Sequence, residues 1–145
     1  MANFSTRTNS RLKAICKLCQ FECTGIDGGY SFDGIYDELL EELGVSGTNI
    51  NEEFLEKLYN GVIDNLKAID RIISINLSGY TLDRLNIVDR NIIRVATLEM
   101  KFLNTSPQIA INEALNITKA LTESNDVNFS SRKFNNKLLD DIAKS

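Results

Sequence analysis

Apolar residues recur along most of this chain at intervals of three and four, the spacing of a buried helix face, and this pattern predicts an all-α protein. At about 100° per residue, Leu12, Ile15, Cys16, Cys19 and Cys23 fall on one side of a first helix and form its expected core stripe. Arg7 with Arg11, and Lys13 with Lys17, form i,i+4 basic pairs elsewhere on its circumference, where the pattern leaves them in water. A Gly-rich loop, Gly25 to Gly34, precedes a short acidic helix near Ile35 to Leu43 that ends at Gly44 to Gly47. Phe54, Leu58, Val62, Leu66, Ile69 and Ile73 then mark one long helix, or two joined by a kink near Gly61, closed by Gly79-Tyr80.

The stretch from Asp83 to Leu103 is the most informative. Asn86, Arg90, Arg94, Thr97 and Lys101 share one narrow polar stripe and nearly everything else is apolar, the signature of a central helix. Glu99 falls opposite that stripe, amid Leu85, Val88, Ile92 and Val95, so it is expected to be buried and to need hydrogen-bond partners. No second carboxylate or cation is placed beside it by this pattern, which favours a structural role over general-acid chemistry. Ser106-Pro107 reads as a helix start, with the hydroxyl as N-cap and proline at the first helical position. The helix that follows buries Ala110, Ile111, Ala114, Ile117, Thr118 and Leu121 and exposes Asn112, Asn116 and Lys119. After a polar linker, Glu123 to Ser130, a last helix turns Phe134, Leu138, Leu139 and Ile142 inward.

Composition narrows the function. With 145 residues, 43% hydrophobic and 25% charged, the chain suits one folded domain. One proline and eight glycines leave little turn chemistry for a many-stranded sheet. The absence of histidine excludes Ser-His-Asp and Cys-His catalysis, imidazole metal sites and imidazole pH switching. No phosphate loop, nucleophile elbow or fixed-period repeat is present, so no enzyme, cofactor or metal is expected. Cys16-Lys17-Leu18-Cys19 matches C-x-x-C formally, but it lies within the apolar stripe and lacks a second pair, so buried packing is the better reading. No apolar run approaches the ~18 residues of a membrane span and no secretion signal is evident, which points to a cytoplasmic protein.

The net charge of −4 is polarised. Met1 to Phe21 carries +4 (Arg7, Arg11, Lys13, Lys17), Glu22 to Lys57 carries −9, and the remainder +1. A basic end suits a polyanion and an acidic segment suits a basic protein, although solvated helix faces explain the same charges. At the start of the last helix, Ser130-Ser131-Arg132-Lys133 combines free backbone N–H groups, hydroxyls and two cations, a physical anion site or an ordinary capped terminus.

The carboxyl-terminal half resembles the NusB family of bacterial transcription antitermination factors. The resemblance rests on Leu82-Asp83-Arg84-Leu85, on Val88-Asp89-Arg90-Asn91-Ile92-Ile93-Arg94 continuing to Glu99, on Pro107-Gln108-Ile109-Ala110-Ile111-Asn112-Glu113-Ala114, and on Ser131-Arg132-Lys133-Phe134 continuing to Asp140, in family order and spacing. It covers Leu82 to Asp140 well and the first helix weakly, where Cys16 and Cys19 replace the family's glutamine and tyrosine. The resemblance implies about seven helices in two small packed bundles, near residues 1–80 and 81–145, within one NusB-like domain. It implies RNA binding without catalysis, acting with NusE, a small-subunit ribosomal protein, on single-stranded boxA RNA of ribosomal transcripts within the elongation complex. Under it Arg7, Arg11, Lys13 and Lys17 hold phosphates at one end, and Ser131, Arg132 and Lys133 hold another segment, the two converging on one groove. Phe134 is a candidate for base stacking, with core packing the alternative; Asp83, Asn86, Asp89 and Arg90 are the expected NusE contacts. The resemblance also leaves room for a homodimer.

Two alternatives stand beside this reading. One is a relative of the NusB-like domain of ribosomal RNA cytosine methyltransferases, against which counts the lack of a methyl-donor domain before Ser145. The other is a protein-interaction module without RNA binding that engages partners through its acidic segment, Asp33 to Glu56.

Overall fold

The computed structural model describes residues 4–24, 37–45, 49–79, 81–122 and 130–145. Every regular element among them is helical: α1 (Thr6–Thr24), α2 (Asp37–Glu42), α3 (Glu52–Asp64), α4 (Leu66–Asn76), a 3-10 turn (Leu82–Arg84), α5 (Ile87–Phe102), α6 (Pro107–Thr122) and α7 (Ser130–Lys144). The all-α class agrees with the hydrophobic periodicity, and the seven α-helices among the described residues agree with the number that the family resemblance implies. The loop read at Gly25–Gly34, Gly47, Tyr80 and the linker Glu123–Phe129 lie outside the described residues.

Helix α5 is the central element, packed against α1, α3, α4, α6 and α7, with every residue from Asn91 to Glu99 buried. It begins at Ile87 rather than Asp83, because Asn86 takes an extended backbone and its side chain accepts from the Asp89 N–H at 2.9 Å. The polar stripe is covered in its middle: Arg94 and Thr97 are buried, Arg94 because Asp70 of α4 receives its guanidinium at 2.8 and 3.0 Å.

The break between α3 and α4 falls at Asn65, not at Gly61. Asn65 leaves helical geometry (φ −115°, ψ 20°), and its backbone N–H and side-chain amide both donate to the Gly61 carbonyl, at 3.1 and 2.8 Å. Gly61 stays helical for a different reason: a Cβ there would lie 2.8 Å from Leu98 Cδ2, so glycine permits the close approach of α3 to α5.

Helix α1 buries more than the single stripe its sequence suggests. Leu12, Ala14, Ile15, Cys16, Leu18 and Cys19 are buried, and so are Thr8, Asn9, Ser10, Arg11 and Gln20. Two of the polar ones anchor the segment entering α3: Asn9 Nδ2 donates to the Asn49 carbonyl at 3.2 Å, and Ser10 Oγ accepts from the Asn51 N–H at 2.8 Å. Cys23, expected in the core, is exposed. Burial and then the neighbouring Cys19 push the Cys16 thiol pKa up, which keeps it protonated and unsuited to nucleophilic or metal chemistry.

The last two helices follow the sequence closely. Ser106 Oγ caps α6, accepting from the Ile109 N–H at 3.3 Å. Ala110, Ala114, Ile117 and Thr118 of α6, and Leu138, Leu139 and Ile142 of α7, are buried.

Candidate nucleic-acid interface

The four amino-terminal cations separate into different environments. Arg11 is 5% exposed. Its Nε and Nη2 donate to the two oxygens of Glu99, each at 2.8 Å, and its Nη1 donates to Glu113 at 2.8 Å. The Thr8 hydroxyl also donates to Glu113. Burial by itself would push the Arg11 pKa down, but the two carboxylates hold it above its ordinary value. Arg11 is therefore corrected from a phosphate contact to the buried counter-ion of Glu99, supplying the partner that the helical wheel of α5 left missing. Removing Arg11 from the surface leaves Arg7, exposed with its guanidinium carbon 3.8 Å from the Phe54 ring centroid, and Lys17, half-buried with Nζ 4.3 Å from the Tyr59 centroid. Both are cation–π contacts to α3. Lys13 is half-buried.

The second cluster sits on the first turns of α7. Lys133 is exposed, while Ser131, Arg132 and Phe134 are half-buried, Phe134 packing against the core. A groove of ≈ 330 Å³ runs between this part of α7 and the end of α4, walled by Leu77, Phe134 and Leu138 and edged by Lys133, Lys137 and Asp141. Lys137 pairs with Asp141 at 3.3 Å and remains largely in water. Such a groove offers an apolar wall to a flat ring and ammonium groups to its phosphate. Leu77 and the end of α4 carried no signal of this kind in the sequence, since their approach to α7 is a tertiary event.

Arg7 does not converge with the α7 cluster on a compact groove. Helix α1 runs antiparallel to α5, because Arg11 meets Glu99 whereas Cys19 meets Ile87 and Asn91. Helix α7 runs parallel to α5, because Asn135 meets Asp89 and Ser145 meets Lys101. Arg7 thus lies at the carboxyl end of α5 and Lys133 at its amino end, about sixteen residues or roughly 24 Å apart along the axis. One strand touching both would extend over about seven stacked nucleotides at about 3.4 Å each.

The expected partner contacts also divide. Asp83 and Asn86 are exposed. Asp89 is corrected to an interior residue: it is 6% exposed, and its carboxylate accepts from Asn86 Nδ2 at 2.7 Å and Asn135 Nδ2 at 3.1 Å. Arg90 is half-buried, donating to the Leu85 carbonyl at 2.7 Å and to Glu22 of α1. Glu22 also receives Arg94 at 2.7 Å. Burial and the adjacent Arg94 hold the Arg90 pKa below its usual value. Arg90 fastens α1 to α5, which leaves Asp83 and Asn86 as the accessible pair. Among the described residues, no group of three or more metal-ligating side chains occurs, and no helix is long and apolar enough to cross a membrane.

Comparison with known proteins bears on this geometry. A profile of the NusB family matches residues 8–144. The transcription antitermination protein NusB of Bacillus cereus is 36% identical over 138 residues, covering 94% of this chain and 95% of the relative. Among solved structures, NusB of T. maritima superposes with a TM-score of 0.70 at 31% identity, over 98% of this chain and 94% of that one. A NusB solved as the antitermination factors NusB and NusE in complex with double-stranded RNA superposes with a TM-score of 0.71 at 25% identity, over 96% of each chain.

Proposed function

The chain belongs to the NusB family, and on that premise we propose that it is an RNA-binding transcription antitermination factor. It acts with a NusE-type ribosomal protein on boxA RNA of ribosomal transcripts in the cytoplasm, and it binds rather than catalyses. The observation that carries the reading is the groove beside α7, where the Phe134 ring and the Lys133 and Lys137 ammonium groups stand around a space that fits a nucleotide. Arg7 adds phosphate contacts at the other end of α5, Lys13 and Lys17 add them along α1 between that end and the amino end of α5, and Ser131 and Arg132 precede Lys133 on the first turn of α7. Asp83 and Asn86 supply the accessible part of the partner surface.

The test is RNA binding by fluorescence anisotropy over a range of salt concentrations, with a single-stranded boxA oligonucleotide, with and without NusE. Binding is expected to be weak alone and tighter with NusE. Lys133→Ala is expected to reduce the salt slope by roughly one phosphate contact. Unchanged affinity and slope in that variant would remove the groove from the RNA surface. A pull-down that recovers no ribosomal protein would favour an interaction module working through the exposed glutamates Glu41, Glu42, Glu52, Glu53 and Glu56. Sizing with and without RNA tests whether a homodimer competes for the same surface.

A further inference from the structure

Asn135 lies one residue beyond Phe134 and is completely buried. Its amide nitrogen is shared between Asp89 Oδ1 of α5 at 3.1 Å and Thr118 Oγ1 of α6 at 3.2 Å, so one side chain ties three helices together. Its Oδ1 is buried without a hydrogen-bond partner among the described residues. An interior amide that leaves one acceptor unsatisfied costs stability, and a better-packed apolar residue would not bear that cost. What the amide does accomplish is directional. Asp89, interior and charged, admits a donor and repels an acceptor, so it fixes which way the Asn135 amide faces. The second Asp89 oxygen accepts from Asn86 Nδ2 at 2.7 Å, and Asn86 is exposed at the start of α5. A continuous line of hydrogen bonds therefore runs from a surface residue of α5, through Asp89, to the turn of α7 that carries Lys133 and Phe134.

We propose that Asn135 is a positioning residue that couples docking at the amino end of α5 to the shape of the RNA groove. The proposal rests on the reading that this chain binds RNA together with a NusE-type protein. A partner that takes up Asn86 alters the hold of Asn86 on Asp89, and Asp89 transmits the change to the Asn135 amide and so to the angle of the Phe134 turn. Coupling of this kind appears as a ratio of affinities, which a residue acting only on stability leaves unchanged in the folded protein.

The experiment measures the Kd for boxA RNA with and without saturating NusE, in the wild type and in Asn135→Val, well below the unfolding temperature. The wild type is expected to show at least a fivefold enhancement, the low end of ordinary coupling, and Asn135→Val to show less than twofold. Thr118→Val keeps the Asp89–Asn135 bond and is expected to retain the enhancement. If Asn135→Val does not fold, Asp89→Asn, which keeps shape but removes the charge that orients the amide, takes its place with the same expected loss. Enhancement retained in the Asn135 or Asp89 variant overturns the coupling while leaving the functional reading intact. No enhancement in the wild type overturns the reading, and the coupling with it.

Discussion

Arg11→Met separates a structural from an RNA-binding role for the most conspicuous cation of α1. Arg11 and Glu99 are 5% and 1% exposed and make two hydrogen bonds of 2.8 Å. Without the guanidinium, Glu99 keeps the Thr105 hydroxyl at 3.4 Å as its nearest side-chain donor. Glu113 keeps Thr8 and, being one-fifth exposed, can draw on water. Breaking a buried pair from one side costs about 3–5 kcal/mol, because a charge is left in a medium that cannot solvate it. At roughly 2–4 °C per kcal/mol for a domain near this size, Tm falls by about 6–20 °C. Thermal and urea unfolding followed by circular dichroism at pH 7 measure the loss, and RNA titrations over salt run alongside. The double variant Arg11→Met, Glu99→Met is expected to recover most of the loss, since apolar replacement of a buried pair is often neutral. A Tm change below about 2 °C, or a salt slope reduced by one phosphate with stability intact, would refute the assignment of Arg11 to the core.

Other outcomes follow from single contacts. Gly61→Ala gains up to about 1 kcal/mol of helix propensity, but its Cβ meets Leu98 Cδ2 at 2.8 Å. Overpacking of about 1–3 kcal/mol leaves a net loss of about 1 kcal/mol in urea unfolding, and shortening Leu98 to alanine is expected to abolish that extra cost. The Cys16 thiol pKa is raised in the folded state by burial and then by Cys19. Its contribution to stability is therefore complete below the unfolded value near pH 8.5 and is lost as pH rises beyond it. The fall is about 1.4 kcal/mol per pH unit, seen as a steeper alkaline loss in the wild type than in Cys16→Ala. In the native protein iodoacetamide is expected to modify Cys23 well before Cys16 or Cys19; equal rates would contradict the burial pattern.

What was legible in the sequence is what local pattern determines. Ser106-Pro107 fixed the start of α6 because capping is decided within one turn, and Glu99 was recognisable as interior because its neighbours on the α5 wheel are apolar. Its partner was not, since Arg11 lies 88 positions away and, by spacing alone, looks like its i−4 neighbour Arg7. The same limit applies to Asn65: any asparagine can end a helix, and the competing signal, Gly61, was there to let Leu98 in close. Cys23 shares the face of Cys19 but sits in the last turn of α1, where it is exposed.

The distribution of charge within the fold changes where RNA attraction should be strongest. The basic run at the amino end counts +4 in sequence, but Arg7 and Arg11 share the Phe54 ring, and Glu99 and Glu113 are paired with Arg11. Those four side chains sum to zero, and the exposed Glu52 and Glu53 beside Phe54 add negative charge. On α7, Asp140 and Asp141 are each matched by a lysine, Lys144 and Lys137, at 3.3 Å. Over its whole length the helix carries a formal net charge of +2. A phosphate approaching Lys133 therefore meets a helix of net positive charge, whereas one approaching Arg7 meets a neutral cluster screened by acids. Lys133→Ala is accordingly expected to weaken RNA binding several-fold more than Arg7→Ala, although each removes one charge. An equal or larger effect for Arg7→Ala, measured by anisotropy in the same buffer, would return the principal phosphate contacts to α1.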